Sequence, residues 1–221
     1  MSDYSILEKN LGVTFKDKNL LVESLTHSSY ANEHNTKHNE RLEFLGDAVL
    51  ELCMSNYLFN NYKIAEGQMT KKRATYVCED ALVVYALKIH LNDYLLLGHG
   101  EEASGGRDRR ALIADAFEAV IGAVFLDQGF DAVNSLFNKI VIPHLNIIEY
   151  SDSKSQLQEL VQADKRTINY EIIREFGPSH DKTFEAIVKL EGDIVLGHGV
   201  GKTKKEAEQN AAFEALKKIA K

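Results

Sequence analysis

The sequence predicts an all-α first part, residues 1–150, followed by a small α+β part, residues 151–221, with the element order α-β-β-β-α. Two observations lead to this prediction. Up to about residue 148, apolar residues recur at helical spacing, and no stretch alternates as a strand does. After Pro143 the pattern changes, and the polar residues 149–153 are typical of a linker.

The helices of the first part are predicted from apolar residues spaced three and four apart, separated by polar or glycine-containing stretches. They cover residues 18–30, 40–60, 69–90, 109–128 and 131–147.

The second part begins with a short helix, and three strands follow. Apolar residues occupy alternate positions from Phe184 to Leu190, so one face of this strand is apolar. Gly192 and Asp193 then turn the chain into Ile194–Leu196, which predicts an antiparallel hairpin. A long helix over residues 203–220 closes the chain.

Composition excludes several classes of protein. With 221 residues, 44% hydrophobic content and 2 prolines, the chain is neither disordered nor fibrous. No apolar run approaches the ~18 residues of a membrane span. The first residues lack an export signal, so we expect a cytoplasmic protein. Cys53 and Cys78 are too few for a disulfide framework, and we interpret both as reduced packing residues in helices.

The net charge of −7 has the wrong sign for a protein that binds a polyanion over its whole surface. The charge is unevenly divided, however. Residues 152–221 hold equal numbers of basic and acidic side chains, so the first part carries the entire excess of acid.

Acidic residues form a line on the helix predicted for residues 40–60. At about 100° per residue, Glu40, Glu43, Asp47 and Glu51 fall within an arc of about 80°. A solvated face is the ordinary interpretation of such a line. Here apolar side chains crowd its edges, so we expect this helix to be nearly surrounded by protein.

The helix predicted for residues 109–128 repeats this arrangement. Asp115 and Glu118 share a face with Gly122, and almost all the other residues are apolar. Two buried helices, each with a glycine that allows close approach, could bring four carboxylates together. Such a cluster would repel itself unless a cation neutralised it, and an all-oxygen ligand set suits Mg²⁺. Mg²⁺ bound near a phosphodiester would favour its hydrolysis. The alternative is two solvated acid pairs that never meet.

These residues also carry a resemblance to a known family. The stretch NERLEFLGD, residues 39–47, resembles the signature of the ribonuclease III family. The stretches LTHSSYANEHN, EGQMTKKRA and ADAFEAVIGAVFLD resemble its other motifs, in the same order, and the match runs from about residue 5 to the C-terminus.

The resemblance implies which acids form the active site. By this likeness Glu43, Asp115 and Glu118 bind Mg²⁺, for which Mn²⁺ can substitute, and Asp47 and Glu118 are essential to catalysis. Glu40 and Glu66 match accessory acids of the dimer interface or of the outer catalytic valley. For these two, a solvated surface position is the alternative.

The resemblance further implies a homodimer that cuts double-stranded RNA. Two active sites at the ends of a shared valley would cut both strands of the duplex. The products would carry 5′-phosphate and 3′-hydroxyl ends with a short 3′ overhang. Ribosomal RNA precursors, with some messenger and transfer RNA transcripts, are the family's usual substrates.

The second part resembles a double-stranded RNA-binding domain, which binds duplex RNA by its shape. Three surfaces match that family. The first helix would reach a minor groove, the turn GPSH containing His180 would make a second contact, and lysines at the start of the last helix would hold phosphates. The residues are Ser155, Gln158, Glu159, Gln162, His180, Lys202, Lys204 and Lys205.

Other ligands are not indicated. The stretch GVGKT, residues 199–203, is similar to a nucleotide-binding loop, but the first glycine of that motif is replaced by Leu196. No nucleotide cofactor is therefore expected. His34 and His38 stand four apart in a polar stretch without a third zinc ligand.

Two further classes of protein compete with a nuclease. The same fold with an inactive site would act as an RNA-binding regulator, which would shift duplex RNA in a gel without shortening it. A purely structural helical dimer would do neither. The presence of all four acids favours catalysis over an inactive site, and a structural dimer would leave the lysine cluster without a function.

Overall fold

The computed structural model describes residues 4–151, 153–178 and 181–219. The chain divides into two compact units, residues 1–145 and 146–221. The predicted fold class is confirmed, since the first unit is mostly helical and the second contains a helix, three antiparallel strands and a helix in that order. Within the described ranges, no helix combines the length and apolar character that crossing a membrane requires.

The first unit is built from helices joined by short connections. The α-helices are α1 (Ser5–Leu11), α2 (Lys18–Leu25), α3 (Ser28–His34), α4 (Glu40–Asn61), α5 (Glu66–Tyr76), α6 (Glu79–Lys88), α7 (His99–Ala103), α8 (Arg110–Gln128) and α9 (Phe130–Ile140). Short 3-10 turns cover Leu91–Tyr94, Gly106–Asp108 and Ile142–His144.

Three of the predicted helices are interrupted. The helix expected over residues 18–30 breaks at Thr26 and His27, because Thr26 forms a parallel β-bridge with Leu96. The helix expected over 69–90 breaks at Val77 and Cys78. The helix expected over 131–147 ends at Ile140, and a 3-10 turn containing Pro143 follows. The first break depends on a partner some seventy residues away, which local periodicity does not reveal.

The two cysteines differ in their surroundings. Cys53 is buried in α4, and burial raises the pKa of its thiol to about 11, so the packing role is confirmed. Cys78 also has a free thiol, but the packing role predicted for it is wrong. This residue caps the start of α6 and is exposed, with its sulfur 3.3 Å from the Thr75 carbonyl oxygen.

Helices α4 and α8 form the centre of the first unit and cross in direct backbone contact. A Cβ atom added to Gly46 would lie 1.8 Å from the carbonyl oxygen of Glu118, and one added to Gly122 would lie 2.2 Å from that of Leu42. Both positions therefore require glycine. The surrounding core includes Phe117 and Met54, which are fully buried.

The second unit contains three helices and a three-stranded antiparallel sheet, and the last two helices pack on one side of the sheet. Its elements are α10 (Leu145–Ser151), which begins at the last residue of the first unit, α11 (Ser153–Ala163), β1 (Ile168–Phe176), β2 (Thr183–Leu190), β3 (Ile194–Gly201) and α12 (Lys204–Ile219). The strand order is β1-β2-β3, and the predicted hairpin is confirmed by the pairing of β2 with β3. The segment expected to be a linker is helical as far as Ser151.

The apolar face of the sheet packs against the helices as its alternation predicts. Ala186, Val188 and Leu190 are buried, and the last two share a core cluster with Leu157 of α11 and Ala211 of α12. The close approach of α12 requires glycines in β3, where a Cβ atom on any of the three residues 197, 199 and 201 would collide with the helix.

Candidate active site

The crossing of α4 and α8 brings two pairs of carboxylates together. Glu43 and Asp47 precede and follow the Gly46 contact on α4, and Asp115 and Glu118 occupy the facing part of α8. The backbone contact fixes the distance between the helices at this point. The acids of each pair lie about one turn apart, so each pair shares one face of its helix.

Glu118 is the most strongly perturbed of these groups. Burial raises the pKa of its carboxyl first, and the charges of Asp47, Glu43 and Asp115 raise it further, to about 8. A carboxyl with such a pKa is largely protonated at neutral pH in the absence of a cation. The charges of the other three acids therefore act on Glu118 at the helix crossing.

The pKa values of Glu43 and Asp115 are raised as well. The pKa of Glu43 is raised mainly by burial and then by Asp115. That of Asp115 is raised by burial and by the charge of Glu79, whereas His27 lowers it. A desolvated group of like charges is unfavourable on its own and strongly favours a bound cation.

The donor set fits a hard divalent cation because every available ligand atom is a carboxylate oxygen. As the side chains stand, no group of three or more His, Cys, Asp or Glu residues in the described ranges is arranged to hold a metal ion.

The two accessory acids occupy different places. Glu40 is exposed at the start of α4 and adds to the charge felt by Glu43. Glu66 begins α5 and lines a cavity of about 490 Å³, together with Leu52, Phe59 and Arg73. Glu66 is not among the charges that shift the pKa of Glu118, so the structure does not bring it to the carboxylate cluster of this chain.

The expectation that α4 is nearly surrounded by protein is wrong. Phe44 is 82% exposed, Phe59 75% and Leu52 55%, so large apolar side chains face outward along the whole helix. Leu50 and Met54, at the edges of the acidic stripe, do lie in the core. Phe44, Leu52 and Phe59 instead form an open apolar face, which we call the α4 face.

In the second unit, the predicted RNA contacts on α11 lie on its outer side. Ser155, Glu159 and Gln162 are exposed, and Gln158 is half-buried. The predicted contact His180 lies outside the described residues.

The three lysines cluster where α12 begins. Lys202, Lys204 and Lys205 are all exposed, and the hydroxyl of Thr203 accepts a hydrogen bond from the Glu206 backbone N–H, which caps the helix. The Lys204 ammonium lies 5.8 Å from the centre of the Phe184 ring. The lysine charges therefore coincide with the positive end of the α12 dipole.

Three residues near these sites are not predicted from the sequence. Glu79 and His27 influence Asp115 from other helix ends, and Asp181 pairs with Lys202 at 2.8 Å. Each is distant in sequence from the residue it affects. A histidine that follows a helix and precedes Ser28-Ser29 is a weak capping signal and does not by itself indicate a site.

Comparison with known proteins agrees with this geometry. Residues 17–145 match the Ribonuclease-III-like family model, and residues 153–219 match the double-stranded RNA binding motif. The chain is 51% identical to Ribonuclease 3 of Listeria welshimeri, with 99% of each chain covered. It is also 51% identical to Ribonuclease 3 of Bacillus cereus, with 98% of this chain and 91% of the relative covered.

A solved structure is similar to the first unit. It is the nuclease domain of ribonuclease III from Campylobacter jejuni, described as flexible in a region involved in dimer formation. The TM-score is 0.61 at 40% identity, with 64% of this chain and 97% of that chain covered. With full-length relatives at 51% identity and both family models matched in order, the chain belongs to the ribonuclease III family of endoribonucleases.

Proposed function

We propose that this protein hydrolyses phosphodiester bonds of double-stranded RNA in a Mg²⁺-dependent reaction. We assign catalysis and dimerisation to residues 1–150 and RNA binding to residues 151–221. The products are 5′-phosphate and 3′-hydroxyl ends with short 3′ overhangs. The observation that carries the proposal is the convergence of four carboxylates from α4 and α8 at a crossing where the backbones touch.

Glu43, Asp115 and Glu118 would hold the cation, and Asp47 and Glu118 would serve catalysis. Bound Mg²⁺ would supply an activated water and would stabilise the charge that develops on the phosphate oxygens. Glu43 and Glu118 have flexible side chains that can rotate to close around an ion, whereas their backbones are held by Gly46 and Gly122. Mn²⁺ offers the same preference for oxygen ligands and would substitute for Mg²⁺.

The protein positions the four acids, and their surroundings determine when each carboxyl is protonated. Because the pKa of Glu118 is about 8, this carboxyl would release a proton when a cation binds at neutral pH. Asp47 lies at the exposed edge of the cluster, where it is accessible to water and to substrate. Glu40, exposed on the preceding turn, would add negative potential at the outer rim of the site.

Double-stranded RNA would be held by the second unit. The polar side chains of Ser155, Gln158, Glu159 and Gln162 suit the 2′-hydroxyls of a minor groove. Lys202, Lys204 and Lys205 suit the phosphates, since exposed cations gather at a capped helix N-terminus. His180 would provide the second groove contact, as the family resemblance implies.

The active form would be a homodimer joined through the α4 face. Phe44, Leu52 and Phe59 are each more than half exposed, and a group of large exposed apolar side chains can mark a protein–protein contact. A cavity lined by Leu52, Phe59 and Met69 lies on the same side and could receive an apolar side chain of the partner. A two-fold dimer would place Glu66 of one subunit in the valley shared with the other.

The substrates and location follow from the family resemblance alone. We propose that the protein processes ribosomal RNA precursors and some messenger and transfer RNA transcripts in the cytoplasm.

Incubation of long duplex RNA with the protein and Mg²⁺ tests the reaction. We expect the RNA to be shortened to fragments with 5′-phosphates, and we expect Glu118→Gln to shift the RNA in a gel without cutting it. Cutting by Glu118→Gln at saturating Mg²⁺ would remove this residue from the mechanism. Binding without cutting by the wild-type protein would show an RNA-binding regulator instead.

A further inference from the structure

Helix α11 is held against the core of the second unit by apolar side chains. Leu157 and Val161, one turn apart on its inner side, are buried in the same cluster as Val188 of β2 and Ala211 of α12. These contacts determine which side of α11 faces outward. Apolar contacts have no directional preference, however, so they do not by themselves set the position of the first turn of the helix.

The first turn of α11 is held by a hydrogen bond to α12. The first N–H groups of a helix have no carbonyl partner within it. The backbone N–H of Lys154, the second residue of α11, donates to Oε1 of Gln209 at 2.9 Å, although 55 positions separate the two residues in sequence. Because a hydrogen bond is directional, this contact fixes the first turn of α11 relative to α12.

The side chain of Lys154 adds two contacts at the same place. Its ammonium lies 2.5 Å from Oε2 of Glu208, the residue before Gln209, and 4.5 Å from the centre of the Tyr170 ring on β1. Only 23% of the Glu208 side chain is exposed, so water and salt screen this ion pair less than they screen a pair on the open surface. Two neighbouring residues of α12 thus hold the main chain and the side chain of Lys154.

The anchored turn leads directly into the surface proposed to bind RNA. Ser155 follows Lys154 and is exposed, and Gln158 lies on the next turn of the helix. A hydrogen bond to a 2′-hydroxyl requires heavy atoms within about 3.2 Å of each other. A shift of the first turn by on the order of 1 Å would therefore lose such a contact.

We propose that Gln209 is a positioning residue for RNA recognition by α11. Its side-chain oxygen holds the first turn of α11 where Ser155 and Gln158 reach the 2′-hydroxyls of a minor groove. The 2′-hydroxyl is the group by which a protein distinguishes RNA from DNA, so Gln209 contributes to that distinction. The proposal rests on the minor-groove contacts assigned to α11 in the proposed function.

The ratio of the affinities for duplex RNA and duplex DNA tests this role. The full-length protein is titrated in chelator, which prevents cleavage, into RNA and DNA duplexes of the same sequence, each longer than the roughly 16 base pairs that such a domain spans. Fluorescence anisotropy measures binding. Gln209→Met keeps the length and helix propensity of the side chain and removes the acceptor. We expect RNA affinity to fall by about three- to tenfold and DNA affinity to stay the same.

Asn210→Leu is the matched control. Asn210 follows Gln209 on α12, and its side-chain amide donates to the carbonyl oxygen of Val200 on β3 at 2.6 Å. Asn210→Leu therefore removes a side-chain hydrogen bond of α12 while keeping the one to α11. Both variants should lower the Tm by similar amounts, but only Gln209→Met should lower the preference for RNA. A purely structural role of Gln209 would leave that preference unchanged.

Gln209→Glu is the conservative variant that should restore recognition. It keeps an acceptor oxygen, and a carboxylate is favourable near a helix N-terminus. Its added negative charge should weaken RNA and DNA binding equally, so the preference for RNA should equal that of the wild type. Gln209→Ala removes the same acceptor and replaces Gln209→Met if the latter does not fold.

An equal preference for RNA in the wild type and Gln209→Met would overturn the positioning role while leaving RNA binding, and with it the proposed function, intact. A preference that falls as much in Asn210→Leu, or that Gln209→Glu does not restore, would overturn the role of the hydrogen bond between Lys154 and Gln209. Equal binding of RNA and DNA by the wild type would overturn the proposed minor-groove contacts and this role with them.

Discussion

The carboxylate cluster should make the cation-free protein less stable as pH rises, and Glu118→Gln should remove that penalty. The folded pKa of Glu118, about 8, lies above its ordinary value of 4.5. The folded state therefore binds a proton more tightly, and the protein loses stability as pH rises from 4.5 through 8. Glutamine keeps the shape and the hydrogen-bonding capacity of the protonated acid without ionising.

The size of the effect follows from the two pKa values. At about 1.4 kcal/mol per pH unit, the full interval corresponds to roughly 5 kcal/mol. The side chain retains some contact with water, so we expect about 2–3 kcal/mol to be measured. For a protein of this size, that equals an increase in Tm of about 4–12 °C for Glu118→Gln over the wild type near pH 9.

Calorimetric melting in chelator measures this difference as a function of pH. The two proteins should melt alike at about pH 3, well below the ordinary pKa, where Glu118 is protonated in both states. Saturating Mg²⁺ should raise the Tm of the wild type more than that of the variant. Glu51→Gln is the control, because it neutralises an acid of the same helix that does not act on Glu118. A variant no more stable than the wild type near pH 9 would refute the reasoning.

Three further predictions concern the helix crossing, the lysines and the α4 face. Gly46→Ala should destabilise the protein by at least about 3 kcal/mol in urea denaturation, because its Cβ would lie 1.8 Å from a backbone oxygen; a loss below about 1 kcal/mol would contradict the contact. Lys204→Ala with Lys205→Ala should weaken RNA binding and reduce the slope of log K against log salt by roughly 1–2, as measured by filter binding. An unchanged slope would show that these lysines do not face the phosphates. Phe44→Asp should give a monomer in sedimentation, since an unpaired charge would be buried in the subunit contact. A dimer that persists in this variant would place the contact elsewhere.

Much of the fold could be predicted because its signals are local. The acid stripe of α4 and the acid pair of α8 are visible in the helical period, and the hairpin of β2 and β3 follows from alternation and a Gly-Asp turn. Glycine within each acidic helix correctly indicated where two backbones approach.

The errors arise where distant residues decide the local structure. The break at Thr26 depends on Leu96, and the pKa of Asp115 depends on Glu79 and His27. Neither of these long-range effects produces a periodic pattern of residues in the sequence. The exposure of Phe44 could not be predicted either, because an apolar residue that meets a partner surface has the same pattern as one that meets the core.

The crossing at Gly46 and Gly122 also bears on how this enzyme tolerates mutation. The spacing between the two acid pairs is set by main-chain atoms in van der Waals contact, and not by the volume of the side chains around them. Core positions elsewhere in the unit can therefore exchange one aliphatic residue for another without moving the acids apart. Core substitutions therefore leave the spacing of the active-site acids unchanged as long as Gly46 and Gly122 remain glycine.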